Sequence, residues 1–399
     1  MKRNTLIVIM IIALSITTGY MDQATSHAKS DVNIKPQEVD DRISAWMKKK
    51  KVPGLAACIV IGDKIVWSNG YGWANIEKGI PFTPNNTLFQ IASVSKTITA
   101  TATMQLRDKG CFKLDDDVNK FLPFSVKNPK YPNKPITFRH LLSHTSSIQD
   151  NDFVYSTYSA GDPVITLKKF VTEYFTSNGL YWTSENYSKY CPGEEEDYSN
   201  VGFGLLGYLI ETISKKPLET YLQENIYLPL CMPETSFYIT NIDAFRHAIP
   251  YTYARKHRKK LIDEGDGLLL PEGTIPRIGF NGHVLYSYPT LSDGLIRTSV
   301  QQLARFMIAY MNDGSYNDQC ILEAKTIEEM LSVQFGKEQG IGWFKRGSRW
   351  GHDGSDPGCA TEMLFNPKNK IGIIIFCNAD VDELKPIVKL LFSTARRML

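Results

Sequence analysis

Ser93 and Lys96 stand three residues apart at the start of an apolar-periodic stretch. On a helix that spacing puts both side chains on one face, about one turn apart. A serine hydroxyl has too high a pKa to attack a carbonyl unaided, so it needs a base within hydrogen-bonding reach. A buried lysine can be that base, because desolvation disfavours its charged form. The positive end of the helix dipole acts in the same direction and favours an oxyanion forming nearby. Taken alone, Ser-x-x-Lys also describes a helix cap followed by a solvated lysine. Two further groups add weight. Tyr198-Ser199-Asn200 follows a loop led by Pro192 and Gly193, and in an extended segment residues two apart face the same way. A phenol relays a proton when an ammonium lowers its pKa, and an amide orients that lysine or a substrate carbonyl. His352-Asp353-Gly354-Ser355 precedes a strand pair near the C-terminus. Gly354 would let a ligand approach the backbone, and the amides of Ser355 and Ser93 would together polarise a carbonyl.

The elements that must position these groups come from both ends of the chain. Residues 55–61 form a continuous apolar run, Gly62-Asp63 supplies a turn, and residues 64–67 resume an extended pattern, which predicts a hairpin. Further strands are expected only at 341–344, 361–365 and 371–376, with a turn at 366–370, and the final stretch has helical spacing. Between the ends, residues 97–106, 201–213, 218–227 and 301–311 read as helices, separated by proline-rich loops such as 128–135. The expected fold is α/β (α+β): an antiparallel sheet built from N- and C-terminal segments, flanked by helices, with a large mainly helical insertion. The boundaries this gives are 35–89 and 293–399 for the α/β part and 90–292 for the helical part, with the site in the cleft between them.

At this point the chain resembles the penicillin-recognising serine hydrolases, in their class C β-lactamase-like branch of D-alanyl-D-alanine carboxypeptidases, D-aminopeptidases and esterases. The resemblance rests on 87–97, which contains Ser93-Val94-Ser95-Lys96, and on 114–118 and 137–146. It continues through Tyr198-Ser199-Asn200, 294–299, 340–343 and 351–354. It implies that Ser93 is the acylated nucleophile, with Lys96 and Tyr198 sharing the acid–base work. Asn200 and His352 would contact substrate, and the backbone of Ser93, Gly354 and Ser355 would form the oxyanion side. It further implies hydrolysis of a small-molecule or peptide amide or ester, without metal or organic cofactor. A true β-lactamase is the second reading, and a non-catalytic binding module of the same fold is a third. His352 stands where other members carry a lysine, so it is expected to be cationic only below its ordinary value of about 6.5. The acidic run Glu194 to Asp197 would, at the rim, disfavour anionic substrates. Ser147 and Cys231 occupy positions where glycine is common in that branch.

Composition narrows the field further. The 399 residues carry 45 basic and 42 acidic side chains, with 43% hydrophobic residues, which excludes disorder and gives no broad footprint for nucleic acid. Lys2, Arg3 and the apolar residues 6–14, followed by Ser26-His27-Ala28, read as a cleavable export signal over 1–28. Cleavage would leave 43 basic and 41 acidic side chains, a net charge of +2, on an exported chain, periplasmic or secreted, with no membrane span. The Gly202-x-Gly204-x-x-Gly207 pattern lacks the preceding strand that a dinucleotide fold needs, so close helix packing is its expected use. His140 and His144 are expected to bond loop backbone rather than a metal, and the basic run 255–260 to be a solvated loop.

Overall fold

A computed structural model describes residues 36–254, 269–271, 277–382 and 384–399. The expected export signal and the basic run 255–260 lie outside these residues. Seven strands form one antiparallel sheet: β1 (Gly54–Ile61), β2 (Lys64–Asn75), β3 (Ile80–Pro81), β4 (Phe344–Arg346), β5 (Arg349–Asp356), β6 (Cys359–Asn366) and β7 (Ile371–Cys377). Their order is β4-β5-β6-β7-β1-β2-β3, so the two ends of the chain meet where Leu55 of β1 pairs with Cys377 of β7.

The apolar run of β1 is explained by burial on both faces. Leu55, Ala57 and Ile59 pack in one cluster with Val39 and Ile43 of α1 (Pro36–Lys50) and Leu391 of α5 (Lys385–Ala395). Ala56, Cys58 and Val60 point the other way, into the larger core shared with α2 (Ser95–Asp108), α3 (Asn200–Ser214) and α4 (Val300–Met311). The second core therefore sits between the sheet and the helices that hold the candidate site.

Three expectations need correction. Residues 341–344 do not form a strand before Phe344: Gly342 takes φ +70 and donates its N–H to Leu142 O, away from any sheet neighbour. His352-Asp353-Gly354-Ser355 lies inside β5 rather than ahead of the strands. Short ribbons also occur mid-chain, such as Phe89–Gln90 paired with Arg297–Thr298. Among the described residues no helix is long and apolar enough to cross a membrane, and no His/Cys/Asp/Glu group is arranged to hold a metal. The seven cysteines are free thiols.

Candidate active site

Ser93 sits in a single 3-10 turn, Ala92–Val94, that leads into α2, and Ala92 adopts φ +45. The turn is held from two sides. Gly354 of β5 packs so closely that a Cβ there would lie 2.5 Å from Ile91 O and 3.0 Å from Ala92 Cβ. Thr361 Oγ1 also donates to Ile91 O at 2.8 Å. Gly354 thus serves contact with the nucleophile's own turn; any larger residue would push β5 away from Ser93.

Lys96 is fully buried. Its Nζ donates to Ser93 Oγ at 3.1 Å, to Asn200 Oδ1 at 2.7 Å and to the main-chain oxygen of Asp293 at 2.8 Å. Three acceptors match the three protons of an ammonium. The Tyr198 ring lies 4.9 Å from the same nitrogen, and Phe203 lies 5.7 Å away. Asn200 is placed by the start of α3, where the hydroxyl of the extended cap residue Ser199 accepts from Gly202 N. The Asp150 carboxylate binds the same end, accepting from the Ser199 hydroxyl and from the amides of Asn200 and Val201 at 2.9 to 3.1 Å. Sequence reasoning passed over Asp150, since nothing local marks a cap supplied from 50 residues away.

Tyr198 is 39% exposed, but its reactive end is enclosed. Burial pushes the phenol above its ordinary pKa, while the charge of Lys96 and hydrogen bonding to Lys96 and Ser93 pull it back. Its ring stacks on His144 with centroids 4.2 Å apart, and His144 Nδ1 accepts the Ser199 N–H at 3.2 Å. Burial, with the charges of Lys96 and His352, drives the His144 pKa well down, so it is a neutral spacer behind Tyr198. His140 Nδ1 accepts from Thr137 N in a capping box. Both histidines bond loop backbone, as their spacing without an acidic partner suggested.

His352 corrects the expectation of a group titrating near neutrality. It is 2% exposed, and its Nδ1 bonds Asp353 O at 2.6 Å. Burial takes its pKa to about 4; Asp353 opposes the drop and Lys96 reinforces it. At neutral pH the ring is uncharged, with Nε2 left as an acceptor.

Ser93, Tyr198, Asn200, His352 and Ser355 line one cleft of about 500 Å³, together with Glu338, Phe344, Arg346 and Asp353. Arg346 is the fixed cation in this cleft, but it bonds Glu362 and Asp353. Of the acidic run, Glu194 accepts from Cys191 N and Asp197 from Gln149, whereas Glu196 feels Glu338: burial, then the charges of Glu338 and Glu195, raise its pKa. Glu338 thus gives the cleft an acidic wall, and Glu196 stands close enough to feel its charge.

The glycine pattern on α3 serves packing. A Cβ on Gly207 would lie 2.3 Å from Ser292 Oγ, and one on Gly204 would lie 2.8 Å from Thr290 Cγ2. These absent side chains let the 290–294 segment approach α3 and bring Asp293 O to Lys96. Ser147 and Cys231 adopt φ +62 and +54, the left-handed conformation in which glycine is most at ease.

The fold and this lysine-supported serine are those of a hydrolase that works through its own hydroxyl. The family model described as Beta-lactamase matches residues 39–390, and the chain belongs to that family of serine hydrolases. It is 25% identical over 364 residues to the protein flp of Staphylococcus aureus, covering 90% of this chain and 66% of that one. The chain thus spans just under two thirds of the length of that relative. It is 34% identical over 210 residues to beta-lactamase-like protein 2 of Dictyostelium discoideum, covering 52% of this chain and 36% of that one. Among solved structures it is similar to an octameric penicillin-binding protein homologue from Pyrococcus abyssi, with a TM-score of 0.67 and 25% identity over 92% of this chain and 78% of that one. The D-amino acid amidase of Ochrobactrum anthropi SV3 shares the fold, with a TM-score of 0.68 and 19% identity over 90% of this chain and 98% of that one.

Proposed function

We propose that the protein cleaves an amide or ester through an acyl-Ser93 intermediate, in the manner of a D-peptide carboxypeptidase or an esterase. The observation that carries this reading is the 3.1 Å contact from Lys96 Nζ to Ser93 Oγ, made by a lysine whose other donors are fixed. Ser93 Oγ passes its proton to the Lys96–Tyr198 pair in the form that holds one proton fewer, ammonium beside phenolate or amine beside phenol, and bonds the carbonyl carbon, while the amides of Ser93 and Ser355 receive the oxyanion. Tyr198 returns the proton to the departing amine or alcohol. Water, deprotonated by the same pair, then releases the acid and restores Ser93.

The uncharged His352 and the acidic wall at Glu338, with Glu196 close by, favour neutral or cationic substrates over anionic ones. β-Lactam hydrolysis is the second reading, supported by Arg346 as a cation in the cleft for a substrate carboxylate. The N-terminal sequence supports action outside the cytoplasm.

Incubation with a fluorophosphonate or a labelled penicillin, followed by intact mass, should add one adduct to the wild type and none to Ser93→Ala. No adduct, with Ser93→Ala matching wild type across esters, D-peptides and cephalosporins, sinks the proposal in favour of a binding module.

A further inference from the structure

The outer face of the sheet carries a groove of about 620 Å³ between β5, β6 and α5. Arg346, Asp353 and Ser355 border both this groove and the catalytic cleft, so β5 divides the two. Side chains alternate along a strand, and Arg349, Asp353 and Ser355 lie on the face opposite Gly354, which packs on Ala92. On β6, Ala360 stands opposite Ser355, Glu362 opposite Asp353 and Leu364 opposite Gly351, which puts them on the same face. Leu384 and Val388 close the other side of the groove, at the cap and first turn of α5.

The charges are sorted along its length. Near the β5–β6 turn stand Asp380 and Asp382, with Lys385 at the start of α5. Asp380 accepts the Gly358 N–H at 2.6 Å and a hydrogen bond from the Thr252 hydroxyl, which ties it to that turn. Asp382 is exposed. At the opposite end stand Arg349 and Lys389, and the Arg349 guanidinium lies 3.9 Å from the centre of the Phe392 ring, toward the far end of α5. Between the ends, Arg346 donates to Glu362 at 2.7 Å and to Asp353, so these three satisfy one another.

The basic end lacks a counter-charge. Among the described residues the side chains of Arg349 and Lys389 make no hydrogen bond or ion pair with the protein. Burial, then the charge of Arg396, lowers the Arg349 pKa, so its charged neighbour is a second cation rather than an anion. A partly buried guanidinium with its donors free is suited to a carboxylate. The other end has the opposite need, since the two carboxylates of Asp380 and Asp382 face the single ammonium of Lys385.

From Arg349 to Ser355 the strand runs about 20 Å, the length of an extended chain of about six residues. A zwitterion with its charges that far apart answers both ends. A fatty carboxylate would meet Arg349, but it would leave Asp382 unanswered and lay methylenes over Arg346, Asp353 and Glu362. A polyanion would be repelled at Asp380 and Asp382.

We infer that the groove is a second binding site, for a short linear peptide with both termini free. Its carboxylate lies on Arg349 and Lys389, its ammonium on Asp380 and Asp382, and its side chains over Leu364 and Val388. The site stands apart from acyl transfer, and its occupation needs no chemistry at Ser93.

The test is calorimetric titration of Ser93→Ala, in which no peptide is consumed, with hexaalanine and with its N-acetyl and C-amide forms. Each blocking group should weaken binding about tenfold. Amidation should cost nothing further in Arg349→Gln or Lys389→Gln, and acetylation nothing further in Asp382→Asn, because each variant removes the partner of the blocked end. Lys389 and Asp382 are exposed, so their variants decide if Arg349→Gln does not fold. Decanoate should not displace the peptide. Absence of binding, equal binding of free and blocked peptides, or displacement by decanoate overturns the site. Binding unchanged in all three variants also overturns it and puts the peptide in the catalytic cleft.

Discussion

Lys96 Nζ donates at 2.8 Å to the main-chain oxygen of Asp293, a residue 197 positions further along the chain. With its bonds to Ser93 and Asn200, this fixes the lysine between α2, the start of α3 and the 290–294 segment. The nucleophile's partner is therefore held by three pieces of chain. A displacement in any of them reaches Ser93.

Replacing Lys96 with Met keeps the bulk and removes the charge, leaving Asn200 Oδ1 and Asp293 O without their donor. General acid–base assistance contributes roughly 10²- to 10⁴-fold. Hydrolysis of an activated ester by Lys96→Met should fall within that span, with fluorophosphonate labelling slowed in parallel. Labelling at the wild-type rate would exclude Lys96 from the proton path.

Gly207→Ala tests the packing that delivers Asp293. Its Cβ would lie 2.3 Å from Ser292 Oγ and 2.8 Å from Ser292 Cβ, so the segment must shift. Overpacking of this kind costs about 1–3 kcal/mol. Urea unfolding should show that loss, and acylation of Ser93 should slow as well. A loss of stability with unchanged acylation would uncouple the segment from the site.

His352 is depressed to about 4, so it is neutral above that pH and becomes charged only below it. The kcat/KM profile for a neutral ester should show no inflection near 6.5 that disappears in His352→Gln. His352→Lys would install a fixed cation and should raise turnover of carboxylate-bearing substrates relative to neutral ones. An inflection near 6.5 that vanishes in His352→Gln would contradict a buried, uncharged ring.

Asp293 is raised from 3.8 to about 7, so the folded protein holds a proton there that the unfolded chain has already released. Between roughly pH 4 and 7 the native state thus binds more protons, and the stability carried by that proton is lost as pH rises through about 7. A shift of this size corresponds to about 4 kcal/mol for one buried group. Urea midpoints should therefore show wild type losing stability relative to Asp293→Asn between pH 5 and 8. A constant difference across that range would count against the raised value.

The acidic wall predicts a salt effect. Glu338, with Glu196 nearby, should favour cationic over anionic esters at low ionic strength, with the preference shrinking as salt screens it. Charge-matched ester pairs measured across salt concentrations check this. Equal kcat/KM at low salt would place the acidic residues outside the substrate's path.

The sequence by itself determined the features whose geometry is local. Ser93 and Lys96 face each other because three residues span about one helical turn, and the β1–β2 hairpin follows from an apolar run broken by Gly62-Asp63. The Tyr198–Asn200 pair was legible too, since an extended cap at Ser199 leads directly into a helix. Folding alone decided the rest. β5 was missed as a strand because its residues, Arg349 to Asp356, carry no apolar alternation; they pair there because β6 is their neighbour. The cap from Asp150 and the Asp293 oxygen on Lys96 join residues 50 and 197 positions apart. The neutrality of His352 and the raised carboxyls are products of burial, and burial is a property of the packed molecule that no stretch of sequence carries by itself.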